Sequence, residues 1–224
     1  MKKKKYLFPI FTFLLSFACA LFVSIKIFPN NPFTGNKPST ALENKIQEGD
    51  LIFQTSESKQ CEAVRIATNS KFSHCGLIFS QNGKWMVLEA VQPVKVTPLE
   101  QWITHGRDSK YVVKRLKDNS VLTPAIIEKM KTYGKSLIGK EYDAYFEWTD
   151  TRIYCSELIW KVYKNAPGIE LSQLKKLKDF NLSDARIQPI LKERYGNEIP
   201  LDEKVVAPSD LSDSDLLKTV IDTY

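Results

Sequence analysis

At 224 residues, with 32 Lys and Arg against 26 Asp and Glu and a formal charge of +6, the chain is long enough for one ordinary domain with a substantial core. Lys2 to Lys5 hold four of those charges, which leaves about +2 elsewhere and no nucleic-acid footprint. It has no glycine-rich phosphate loop, Cys-x-x-Cys pair or His-x-x-x-His pair, so nucleotide and zinc chemistry have no motif, and only His74 and His105 are available for histidine chemistry.

The four lysines precede Tyr6 to Ile25, twenty residues without a charge and rich in Leu, Phe and Ala. Residues 1–27 therefore read as a signal peptide or an N-terminal membrane anchor, with anchoring through residues 6–25 in the second case. The length suits a span, whereas Pro9 and Ala18-Cys19-Ala20 suit cleavage; both stay open. Lipidation of Cys19 is disfavoured by bulky Phe17, and a buried core helix would have to tolerate four lysines at its entry. Either reading places the domain outside the cytoplasm, in the periplasm or cell envelope. Residues 28–44, with Asn30-Asn31-Pro32, Gly35-Asn36 and Lys37-Pro38-Ser39-Thr40, are linker chemistry. Residues 45–224 form the domain. In an oxidising compartment Cys61, Cys75 and Cys155 are an odd set: a Cys61–Cys75 bridge is conceivable, and at least one thiol stays unpaired.

Gly49-Asp50 opens the domain, Leu51-Ile52-Phe53 reads as a strand, and Ser58 to Ala67 as a short helix. Phe72 to Phe79 and Trp85 to Val91 flank Asn82-Gly83, which predicts a hairpin. With a two-residue loop Gln81 pairs with Lys84, Glu89 faces Gly76, and His74 and Glu89 lie diagonally on one side of the sheet. A four-residue loop would set them directly opposite. Glu89 sits among Val87, Leu88, Ala90 and Val91, where an unpaired charge is costly, so it needs a partner.

Thr97 to Ile103 reads as a capped short helix with proline at its first position. Tyr111 to Leu116 is a further strand candidate, and Thr123-Pro124 starts a helix through Leu137. After Gly139-Lys140-Glu141-Tyr142-Asp143 comes Cys155, at the first turn of a helix. Leu158, Ile159, Val162 and Tyr163 form its apolar face, and Asp150 and Thr151 upstream are helix-start types. A helix start favours thiolate over thiol. Pro167 and Gly168 end this helix. The tail carries a helix at Ser183 to Arg194 and a Leu216 to Ile221 segment, and the whole is α+β, a short antiparallel sheet packed against helices.

A cysteine at a helix start, a histidine on a strand and a carboxylate beside that histidine supply nucleophile, base and orienting group, and this chemistry needs no metal or organic cofactor. The ordered motifs Gly49-Asp50-Leu51-Ile52-Phe53-Gln54, Ser73-His74-Cys75-Gly76-Leu77, Leu88-Glu89-Ala90-Val91-Gln92-Pro93, Gly139-Lys140-Glu141-Tyr142-Asp143, Tyr154-Cys155-Ser156-Glu157-Leu158 and Val206-Ala207-Pro208-Ser209-Asp210 resemble those of the permuted papain-like amidases of the NlpC superfamily, YiiX-like branch. The resemblance implies a circularly permuted papain-like fold, with Cys155 as nucleophile, His74 as base and Glu89 as third member. It also implies Tyr142 as a second oxyanion donor beside the Cys155 N–H, with a packed core tyrosine as the alternative. His105, in a loop with Gly106 and Arg107, reads as structural or surface.

The implied activity is hydrolysis of amide bonds through an acyl-cysteine, with cell-wall-derived peptides as the candidate substrate. A lipid-directed acyl hydrolase or acyltransferase and a non-catalytic peptide-binding module are the alternatives. The expected partner is thus a peptide or acyl substrate and not nucleic acid; oligomeric state is not determined by these features.

Overall fold

The structure, a computed structural model, describes residues 40–224. The signal-or-anchor segment 1–27 and most of the linker lie outside the described residues; among those described, no helix is long and apolar enough to cross a membrane.

The elements are α1 (Thr40–Glu43), β1 (Leu51–Gln54), α2 (Lys59–Thr68), β2 (His74–Gln81), β3 (Lys84–Glu89), β4 (Lys95–Pro98), α3 (Leu99–Thr104), β5 (Val112–Leu116) and α4 (Pro124–Leu137). They continue with β6 (Glu141–Tyr142), β7 (Arg152–Ile153), α5 (Cys155–Asn165), β8 (Lys175–Lys176), α6 (Gln188–Tyr195), β9 (Lys204–Val205), α7 (Pro208–Ser212) and β10 (Leu217–Asp222). Six strands form an antiparallel sheet in the order β10-β5-β1-β2-β3-β4.

The predicted hairpin is β2–β3. Asn82 and Gly83 both have positive φ, 52° and 71°, the backbone that a two-residue turn needs to follow the strand twist. Gln81 pairs with Lys84 and Leu77 with Leu88, so the two-residue register holds.

Side chains alternate across the sheet. Leu51, Phe53, Cys75 and Leu77 pack toward α4 and α5, while Ile52, Ile78, Val87 and Val113 pack with Leu99 and Trp102. Two cores thus share one sheet.

Three local expectations shift. The segment from Thr97 does not begin a helix: Thr97 and Pro98 close strand β4, and α3 starts at Leu99. Thr97 faces Val87 in the ladder, so pairing to β3 outweighs the capping pattern. The tail helix starts later, at Gln188, with Pro189 in its first turn, where a missing N–H costs nothing. Helix α5 starts at Cys155 itself, with Tyr154 rather than Asp150 or Thr151 as the residue before it, and the Tyr154 N–H donates to Glu157 Oε2 at 3.2 Å.

Nor is α5 apolar on one face only. Every residue from Cys155 to Tyr163 is buried. Its polar side chains are satisfied internally: Lys161 Nζ reaches Glu157 Oε1 at 2.7 Å and Asp150 Oδ1 at 2.8 Å, and donates to Thr149 O at 2.6 Å. Ser156 Oγ donates to Val206 O at 2.7 Å, and the Val206 N–H donates to the Tyr154 hydroxyl at 3.2 Å. The tail motif therefore straps down the start of α5, which holds Cys155 in place.

Candidate active site

His74 is the first residue of β2 and Glu89 the last of β3, so the hairpin register sets them diagonally on one face. His74 Nε2 lies 2.7 Å from Glu89 Oε2. The other carboxylate oxygen, Oε1, accepts from Thr97 Oγ1 at 2.5 Å, and Lys95 stands opposite Glu89 in the ladder. Trp102 stacks on the imidazole, with ring centroids 5.6 Å apart and planes 24° from parallel. Glu89 is 2% exposed and His74 8%; the buried carboxylate has the partners that its apolar surroundings demand.

Cys155 is the first helical residue of α5, 4% exposed. The first N–H groups of a helix have no carbonyl one turn back and point out of its end. The His74 imidazole and the Cys75 thiol both act on the Cys155 sulfur, and the Cys75 N–H is directed at it.

The ionisations follow from these contacts. The Cys75 thiol, working against burial and joined by His74 and the Cys75 N–H, holds Cys155 well below the usual thiol range. Burial, reinforced by the Cys155 charge, pushes Cys75 well up, so it remains a neutral donor. Burial alone would lower His74, but its hydrogen bonds and charge interactions with Cys155 and Glu89 raise it to about 10. Burial would raise Glu89, and His74, Thr97 and Lys95 together hold it below the usual carboxylate range. The arrangement is a thiolate–imidazolium pair backed by a carboxylate, which can attack an electrophilic carbon and protonate a leaving group.

Tyr142 is half-buried on β6, where it pairs with Ile153, and its N–H donates to Gln92 Oε1 at 2.6 Å. It lines the same cavity as Cys155. Burial and the Cys155 charge push its phenol well above the ordinary value, so it keeps its proton. His105 is exposed at the end of α3, as expected of a surface residue. Cys61, Cys75 and Cys155 are all free, so the conceivable Cys61–Cys75 bridge is not formed: Cys75 is buried beneath Cys155, and Cys61 sits on α2.

Sequence reasoning missed Thr97, Trp102 and Cys75. Reading Thr97 as a helix cap hid it; a second strand pair carried on from β3 would have placed it beside Glu89. Thr97→Val removes the donor and leaves Glu89 Oε1 unpartnered, which is expected to lower kcat about tenfold. Thr97→Ser should restore it, and steady-state kinetics of the three proteins checks both.

A model of the permuted papain-like amidase enzymes, YaeF/YiiX, C92 family, matches residues 45–221. The uncharacterized protein YiiX of Escherichia coli (strain K12) is 48% identical over 174 residues, covering 78% of this chain and 85% of that protein. The crystal structure of the metalloprotein YiiX from Escherichia coli O157:H7 superposes with a TM-score of 0.77 at 47% identity, over 80% of this chain and 99% of that one.

Proposed function

Because the chain belongs to the permuted papain-like amidases of the C92 family, cysteine peptidases and amidases by type, we propose that Cys155, His74 and Glu89 are its catalytic triad and cleave amide bonds through an acyl-cysteine. The observation that carries this is the convergence of the Cys155 sulfur, the His74 ring and Glu89, with Nε2 held at 2.7 Å from the carboxylate. With Nε2 occupied by Glu89, Nδ1 is the ring nitrogen left to serve the sulfur. The thiolate attacks the carbonyl carbon, and the oxyanion takes the Cys155 N–H and the Tyr142 hydroxyl as donors. The C–N bond then breaks as His74 gives its proton to the leaving amine. His74 next deprotonates a water, which attacks the thioester and releases the acid and the free sulfur.

The substrate class rests on the cavity beside Cys155. A cell-wall-derived peptide needs polar partners for its backbone, and this cavity is lined mainly by apolar side chains, with Gln60, Thr68, Ser73, Ser156, Tyr142 and Arg194 among its polar ones. That favours an apolar acyl group on the carbonyl side, whether the donor is an amide or an acyl lipid. The related YiiX is described as a metalloprotein; among the described residues of this chain no group of three or more His, Cys, Asp or Glu could hold an ion, and no step here is routed through a metal. The N-terminal segment, as signal or anchor, would deliver the domain to an extracytoplasmic site.

The test is pH dependence. Alkylation of Cys155 by iodoacetamide should stay fast from neutral into mildly acidic pH, where an ordinary thiol such as glutathione slows, because the Cys155 thiol ionises well below the usual range. Amide turnover should fall as pH rises through about 10, where His74 loses the proton that the leaving amine needs. Alkylation of Cys155 that tracks glutathione at every pH would remove the ion pair from the mechanism.

A further inference from the structure

Cys75 is a buried nucleophilic group that hydrolysis does not need. It follows His74 on β2, and because strand residues alternate, the two side chains leave opposite faces of the sheet. The imidazole stacks on Trp102, while the thiol joins Leu51, Phe53 and Leu77 in the core that packs against α5. Cys155, the first residue of α5, belongs to that same core. The β2–β3 ladder stops at the Leu77–Leu88 pair, and just beyond its end both the N–H and the thiol of Cys75 are directed at the Cys155 sulfur. One residue thus sets a second sulfur beside the first and holds it there through its backbone.

A hydrogen bond alone does not require sulfur at this position, since a serine hydroxyl in the same space is the stronger donor. What a thiol adds is oxidation chemistry. A thiolate is the form of cysteine that reacts with peroxides, and a neighbouring thiol converts the resulting sulfenic acid to a disulfide before more oxygen is added. Both parts are present. Cys155 is held as a thiolate beside the His74 imidazolium and lines the cavity, which gives a small oxidant a route to its sulfur. Cys75 is 0% exposed and keeps its proton.

We infer that Cys75 and Cys155, both free thiols on adjoining elements, form a reversible oxidation site: a hydroperoxide oxidises Cys155, Cys75 closes a disulfide from β2 to the start of α5, and the hydrolase stays off until a thiol reductant reopens it. This rests on the reading of Cys155 as a reactive thiolate. In the first step the Cys155 sulfur bonds to a peroxide oxygen as the O–O bond breaks, and the departing hydroxide takes the His74 proton and leaves as water. In the second the Cys75 sulfur attacks the sulfenic sulfur: S–S forms, S–O breaks, and the hydroxide leaves as water with the Cys75 proton. The sulfurs give up an electron pair and the peroxide oxygens gain it. His74 is left neutral and the nucleophile is gone.

The test adds stoichiometric hydrogen peroxide to the full chain, blocks the remaining thiols and maps the peptides. Cys75 and Cys155 should be recovered in one disulfide-linked pair, and iodoacetamide labelling of Cys155 should vanish and return with dithiothreitol. In Cys75→Ser the same peroxide should carry Cys155 on to the sulfinic acid, so that recovery of labelling with dithiothreitol falls about tenfold. A map of the unaltered protein that shows Cys155 as the sulfinic acid, or bonded to Cys61, overturns the site whether or not Cys75→Ser folds. The hydrolase fails separately. A Cys75–Cys155 link in a protein whose reduced form cleaves no amide upholds the oxidation site and overturns the hydrolase, whereas fast alkylation of Cys155 at acidic pH with no link under peroxide overturns the oxidation site and leaves the hydrolase intact.

Discussion

Cys155→Ala is expected to abolish amide turnover, by about 10⁴-fold or more, while its thermal transition stays close to that of the unaltered protein. The first half follows from the chemistry: without the sulfur no acyl-enzyme forms, and what survives is the rate that oxyanion donors and binding alone supply. The second half follows from the site's construction. Helix α5 is held by Leu158, Ile159, Val162 and Tyr163 in the core and by the Lys161 and Val206 contacts, none of which involves the Cys155 side chain. Removing one small buried sulfur also relieves the thiolate–imidazolium pair, so His74 reverts toward a neutral ring. Kinetics beside a melting curve decides it: a folded variant that still turns over would dismiss Cys155 as nucleophile, and a collapse in Tm would make it a packing residue.

Lys161→Met should produce the largest loss of stability, about 3–5 kcal/mol, which for a domain of this size is a fall in Tm of roughly 10 °C. The side chain is 8% exposed and its partner Glu157 is fully buried. Burial already pushes the Glu157 carboxyl up to about 7 in spite of the lysine, so without its cation that carboxylate is the costly group. The double change with Glu157→Gln should therefore recover much of the loss, because two matched neutral side chains avoid the stranded charge. Additive losses in denaturant titrations would mean that the pair is not coupled.

Part of this site could be read along the chain and part could not. Local pattern identified the hairpin, because Asn82-Gly83 sets a turn type and the turn type sets the register; once the register is known, His74 and Glu89 share a face. The helix of Cys155 was equally legible from its apolar face, but that face says nothing of Glu157 and Lys161, which are buried with it. Thr97 illustrates the limit, since Thr-Pro before an apolar run reads as a helix start, and only pairing with β3 turns it into the donor to Glu89.

The sequence by itself determined the residue types, the hairpin register and the helix that carries the thiol, since these depend on neighbours a few positions apart. The tertiary structure alone decided what surrounds them: that Cys75 lies beneath Cys155 instead of bridging Cys61, that the segment at Val206, just after β9, straps the helix start, and that α2 and α6 enclose an apolar space at the sulfur. Contacts between segments far apart in the chain leave no local signature, because each segment's pattern records that it buries a face and not what it buries it against.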